Sequence, residues 1–159
     1  MDDFIFRHAT ADETPHILAM QRDIFSGEQG IPGDMNDAFL AKNPILWCAE
    51  SKTDGKIYAA TVSWQENNET HWGRFVVLPS ARGRHIGTKL AQTSFEDLFT
   101  MGVEKIYMEA RDSTVRIVCG MGGKITGEPY EFYKGTVTPV VLERKDYVSP
   151  DNGKQRKIC

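Results

Sequence analysis

The spacing of apolar positions divides the chain into segments of two different periods. Residues 4–9 form a short, imperfectly alternating run of strand-forming residues. Thr10 and Glu13 follow at capping-box spacing, with Asp12 adding negative charge to the first turn of a helix. Ile17, Leu18, Met20, Ile24 and Phe25 then fall on one stripe and predict a helix over about 15–25. Ser26-Gly27 and Gly30-Ile31-Pro32-Gly33 predict its end, with Glu28 and Gln29 in a loop. A short helix over 34–42 is expected next, stopped by Asn43-Pro44.

A β-rich block comes after it. Strands are expected over 45–51, 56–65 and 70–78, joined by turns at Thr53-Asp54-Gly55 and Asn67-Asn68. Connections this short allow only an antiparallel meander. A loop over 79–85 leads into a long helix over 86–101, with Ile86, Leu90, Ala91, Leu98 and Met101 inward and Gly102 as the stop. The strand expected over 104–110 follows a helical crossover and must run parallel to its predecessor. A short helix over 113–121, strands near 124–131 and 136–144, and a polar stretch complete the order βααβββαβαββ. This predicts an α+β fold in three layers, a mixed, mostly antiparallel sheet of about seven strands flanked by helices. One domain over 1–147 and a polar tail over 148–159 are expected.

Composition narrows the class. The 159 residues, 40% hydrophobic and with a net charge of −3, exclude a disordered chain. No apolar run approaches the ~18 residues of a membrane-crossing helix, so no membrane association is expected. The acidic start Met1-Asp2-Asp3 is unlike the basic opening of a signal peptide. Cys48, Cys119 and Cys159 are scattered and odd in number, and are expected to be reduced thiols of a cytoplasmic protein. No Cys/His spacing suggests a metal. The mildly acidic balance argues against nucleic acid as a partner.

The chemistry concentrates at residues 73–90. A strand ends at Leu78, and a turn delivers backbone N–H groups to a helix N-terminus flanked by Arg82 and Arg84. Unpaired amides, the helix dipole and the close approach allowed by Gly83 and Gly87 make a phosphate site, to which the two arginines add charge-assisted contacts.

The pattern Val77-x-Pro79-x-x-Arg82-Gly83-x-x-Ile86-Gly87 resembles the acetyl-CoA-binding motif of the GNAT N-acetyltransferases, whose core is Arg/Gln-x-x-Gly-x-Gly/Ala. The element order is similar to theirs over about residues 4–145. The loop Phe25-Ser26-Gly27-Glu28-Gln29-Gly30-Ile31-Pro32 also resembles one subgroup of small bacterial members. The resemblance implies that main-chain groups of Phe75, Val76 and Val77 pair with the pantetheine arm in a splay beside this strand. It implies too that the amides of Arg82, Gly83, Arg84, His85, Ile86, Gly87 and Thr88 hold the pyrophosphate. The implied reaction is direct transfer of acetyl from acetyl-CoA, as cosubstrate and without a metal, to a small-molecule amine or a peptide N-terminus. The protein would be a monomer or homodimer.

Two positions depart from the family pattern. His85 stands where its first glycine is usual, and Val118 aligns with the tyrosine that protonates the CoA sulfur. Either the thiolate, a good leaving group at neutral pH, departs unaided or another group substitutes, with Tyr130 and Tyr133 as candidates and Cys119 adjacent. For the general base, His71 occupies about the place of a glutamate in many relatives, and an imidazole near its ordinary pKa of ~6.5 accepts a proton directly or through water. Glu28, in a loop that in the resemblance borders the acceptor pocket, is a second candidate, and Glu69 and Glu109 are others. Trp64 and Trp72 either line the acceptor pocket or belong to the core. The competing readings are a CoA-binding protein without turnover, which His85 and Val118 favour, and transfer of a longer acyl chain. A nucleotide-binding domain is the weaker rival, since no GxxxxGK[ST] is present.

Overall fold

The computed structural model describes residues 3–30 and 38–152. Its order is β1 (Phe4–His8), α1 (Thr14–Gln29), β2 (Ile45–Ser51), β3 (Ile57–Glu66), β4 (Glu69–Val77), α2 (Ile86–Thr100), β5 (Lys105–Ala110), α3 (Asp112–Gly120), β6 (Lys124–Ile125), β7 (Tyr130–Glu131) and β8 (Thr136–Glu143). The sheet has eight strands in the order β1-β2-β3-β4-β5-β8-β6, with β7 beside β8. All pairings are antiparallel except β4 with β5. The expected three-layer α+β architecture is therefore the observed one. One face packs α2 and α3 around Trp47, Trp72, Leu90, Phe95 and Val118. The other packs α1 through Ile17, Met20 and Ile24 against Cys48, Val62 and Val76.

Local chemistry explains where the elements begin and end. The Thr10 amide donates to the Glu13 carboxylate at 2.8 Å, as the capping-box spacing predicts. Glu13 in turn receives a forked pair of bonds from Arg7 at 2.9 and 2.8 Å, which ties β1 to the entry of α1. This guanidinium, together with the Thr10 amide, holds the Glu13 carboxyl down at about 2. Helix α1 runs four residues beyond its expected end. An isolated glycine in a helix interior costs only ~1 kcal/mol, and the Ser26 hydroxyl donates to Arg22 O at 2.9 Å without leaving the helix. The helix stops at Gly30, whose φ of 69° is left-handed. Glu28 and Gln29 thus sit on its last turn, not in a loop. At Asn67 and Asn68, φ values of 53° and 64° make the mirror-image turn that a two-residue hairpin favours.

Three further expectations change. Of the short helix expected over 34–42, Ala38–Ala41 forms a 3-10 turn, and residues 31–37 lie outside the described residues. Met101, expected inward, is 52% exposed, because the helix ends one residue earlier. Cys48 is a free, buried thiol, which burial pushes up to about 11. Cys119 is disulfide-bonded, which corrects the expectation of reduced thiols. At the other end, Val148 donates to Met121 O at 2.8 Å and Asp151 accepts from Gln92 at 2.8 Å, so the stretch through 152 is fastened to the domain.

The site is made by two irregularities of the sheet. Strand β4 pairs with β5 at only Thr70↔Ile106 and His71↔Tyr107, and the two strands part beyond that point. On its other edge β4 bulges, because Ala60↔Val76 is followed by Val62↔Gly73, three residues on β4 against two on β3. Arg74 in the bulge has a φ of 50°. Its carbonyl accepts from Gln21 Nε2, and the Gly73 carbonyl accepts from Thr61 Oγ1 at 3.0 Å, so side chains take over the bonds that the bulge removes from the ladder.

Candidate active site

Where β4 and β5 part, two cavities open and meet. The larger, about 590 Å³, lies over the end of β4 and the N-termini of α2 and α3. Phe75, Val76, Val77, Arg82, Gly83, His85, Ile86, Gly87 and Thr88 all line it. His85 is the N-cap of α2 with a left-handed φ of 62°, and no side chain caps the first turn. The opening amides of this helix therefore have no partner within it and are free to receive an anion, with the dipole behind them. Gly87 is needed for contact: a Cβ there would meet Phe75 Cζ at 3.1 Å and Val77 Cγ2 at 3.3 Å, so α2 lies directly on β4. Gly83 has open space around it and serves through its φ of +79°.

The two arginines behave differently. Arg82 lines the larger cavity, donates from Nε to Val77 O at 2.8 Å, and bridges to both oxygens of Glu28 at 2.8 and 3.1 Å. Arg84 does not line it; its guanidinium lies over the Phe4 ring at 5.3 Å, 3.9 Å from Asp3. Glu28 thus belongs with Arg82 at the larger cavity, away from the acceptor side where the sequence set it.

The smaller cavity, about 330 Å³, has the rings of Phe25, Trp64, His71, Trp72, Phe75 and Phe132 in its lining. His71 lies there, stacked on Trp64 at 6.0 Å and tilted against Tyr107 at 5.7 Å. Its Nε2 is buried and has no hydrogen-bond partner, although Glu69 Oε1 is 3.2 Å away, out of line for a bond. Glu109 lines this cavity and accepts from the Tyr130 hydroxyl at 2.7 Å. That bond to a carboxylate pushes the Tyr130 hydroxyl up to about 12. Tyr133 is 51% exposed, with a φ of 55°, and lines neither cavity. Val118 is fully buried in the α2–α3 core. Among the described residues no tyrosine lines either cavity.

Gln29, Phe75, Arg111 and Thr114 line both cavities and mark their junction. Sequence reasoning missed three of these four, naming only Phe75. Arg111 was legible as a cation directly after a buried strand, but its placement depends on a splay that local patterning does not encode. Among the described residues no group of His, Cys, Asp or Glu is arranged to hold a metal, and no helix is long and apolar enough to cross a membrane.

Residues 11–118 match the acetyltransferase (GNAT) family, and the chain belongs to that family. No curated protein sequence matches it. Among solved structures it is similar to Escherichia coli ElaA, with a TM-score of 0.75 and 17% identity over 90% of this chain and 100% of that one. An acyl-CoA N-acyltransferase from Pseudomonas aeruginosa gives a TM-score of 0.72 at 20% identity over 87% of this chain and 98% of that one. A spermidine N-acetyltransferase from Vibrio cholerae, in complex with CoA and spermine, gives 0.69 at 14% identity over 92% of this chain and 99% of that one. At these identities the likeness is one of fold.

Proposed function

We propose that this chain is an N-acetyltransferase that moves an acetyl group from acetyl-CoA to a primary amine of a small molecule or peptide N-terminus. The observation that carries the reading is the junction: an uncapped helix start and a cavity lined by aromatic rings and the His71 imidazole meet where β4 and β5 part. The chain's residues fit the cosubstrate. The open β4 edge at Phe75–Val77 suits the pantetheine amides, and the segment 83–88 with Arg82 suits the pyrophosphate. Glu28 must give up Arg82 to the incoming phosphates. Acetyl-CoA supplies an activated acyl group on a thiolate leaving group.

In this reading the cavities align amine and thioester. His71 Nε2 takes the proton that the ammonium loses, and Glu69 at 3.2 Å steadies the resulting charge. The new C–N bond forms as the C–S bond breaks, and the thiolate departs and is protonated afterwards. The Glu28-Gln29-Gly30-Ile31-Pro32 stretch is part of the same proposal, as the mark of a small bacterial subgroup.

A second reading, a CoA-binding protein without turnover, is favoured by one observation: Val118 is in the core and no tyrosine among the described residues reaches the cavities. Calorimetry with CoA and thiol release across a panel of amines separate the two. Gly87→Glu is expected to weaken CoA binding by at least ~10-fold, through the clash with Phe75 and the repulsion of phosphate. His71→Ala is expected to leave CoA binding intact and slow thiol release. Unchanged CoA affinity in Gly87→Glu would remove the cradle assignment, and tight CoA binding with no thiol release would establish the second reading.

A further inference from the structure

Arg111 sits at the N-cap of α3, at the junction of the two cavities. Its Nε donates to Gln29 Oε1 at 3.0 Å, and its guanidinium lies over the Phe132 ring at 5.4 Å. Gly135 leaves room for it, since a Cβ there would come within 3.2 Å of Nη1. Nη1 and Nη2 are both closed off from solvent and have no hydrogen-bond partner. Desolvation lowers the guanidinium's pKa, with only Asp112 opposing it. An unmet charged donor in such a place is among the costlier features a fold can carry. Arg74, the other cation of the aromatic cavity, is by contrast engaged by Gln21 and stacked against Phe25 and Phe39.

We infer that Arg111 is the receptor for a carboxylate of the acceptor, and that the acceptor is an α-amino acid with an apolar side chain. This rests on the acetyltransferase reading and names its substrate class. A planar guanidinium with two free terminal nitrogens matches a carboxylate in a forked, two-bond geometry. In an α-amino acid a single carbon separates carboxylate and amine. A carboxylate fixed at the junction therefore leaves the amine beside the thioester path, in the cavity that also holds His71. The side chain then points among Trp64, Trp72 and Phe75. A zwitterion suits a cavity with one unpaired guanidinium and the Glu109 carboxylate.

The test uses phenylalanine and its decarboxylated counterpart, phenethylamine. Their binding is measured by calorimetry on CoA-saturated and CoA-free protein, and their acetylation by thiol release. The wild type is expected to prefer phenylalanine by on the order of 10–100-fold. Arg111→Gln should bring the two within about threefold, and Arg111→Lys, which keeps charge without the fork, should recover part of the preference. Equal binding of both probes by the wild type, or a preference that survives in Arg111→Gln, overturns the inference. So does an Arg111-dependent preference for succinyl-CoA over acetyl-CoA, which would assign the carboxylate to the donor. If CoA itself fails to bind, the acetyltransferase reading falls, and the CoA-free titration still decides whether Arg111 holds a carboxylate.

Discussion

At the scale of one residue, His85 takes a left-handed turn where the motif it resembles usually has glycine. Its backbone is left-handed at φ 62°, a conformation costing an L-residue ~1–2 kcal/mol. Glycine has no such penalty, though it loses more freedom on folding. His85→Gly should thus raise stability by about 0.5–1 kcal/mol, whereas a β-branched His85→Val should lower it by at least ~1 kcal/mol. Urea denaturation of the three proteins checks the order. The departure at His85 was plain in the sequence, because motif spacing fixes which residue must take the turn. Arg74 was not, although its φ of 50° is as unusual. Gly73 beside it is a local hint of a bulge, but nothing nearby marks Arg74 as its left-handed residue, whose carbonyl is satisfied by Gln21, 53 residues away in the chain.

Among elements, the entry to α1 is where charge and secondary structure reinforce each other. Arg7 on β1 holds Glu13, which also accepts the Thr10 amide. Glu13 is held at about 2, below its ordinary 4.5. Its stabilisation is thus complete above ~4.5 and is lost as pH falls toward 2. Since both partners are partly exposed, with side-chain exposures of 29% and 26%, a modest ~1–2 kcal/mol is expected. Glu13→Gln should cost that much at pH 7, and the gap between the variant and the wild type should close near pH 2, as followed by chemical denaturation. The capping box was readable from Thr10 and Glu13 alone; Arg7 as their partner was not, since it sits on another element. The ends of α1 show the same divide. Gly30 terminates it and Gly27 does not, and the difference lies in which glycine the tertiary fold places at a left-handed turn.

For the molecule as a whole, the sheet is two wings joined by a short seam. Strands β1–β4 form one and β5, β8, β6 and β7 the other, with only two ladder pairs at the β4–β5 seam. Although the single strand expected near 124–131 is the two short strands β6 and β7, the segment-by-segment periods were enough to predict the longer elements and the parallel crossover. They contain nothing about how far β4 and β5 stay together. A ligand that fills the gap touches both wings, so its binding energy adds to folding stability. At a hundredfold excess over its dissociation constant, CoA should stabilise the protein by ~2.7 kcal/mol, a rise of roughly 5–10 °C in melting temperature. Thermal unfolding followed against CoA concentration tests this, and a midpoint indifferent to CoA would contradict it.

The bulge in β4 also shifts the phase of the strand. Side chains of an unbroken strand alternate between faces, so Trp72 and Val76 would lie on the same side. Here Trp72 packs on the α2 face and Val76 on the α1 face, while Phe75 joins Trp72 at 5.3 Å. The one extra residue inverts the inside–outside parity of everything that follows it. Removing a single residue from 73–75 would thus do more than shorten a loop. It would turn Val76 towards α2 and withdraw the ring and methyls that now lie against Gly87, so the facing of this strand depends on its length as much as on its composition.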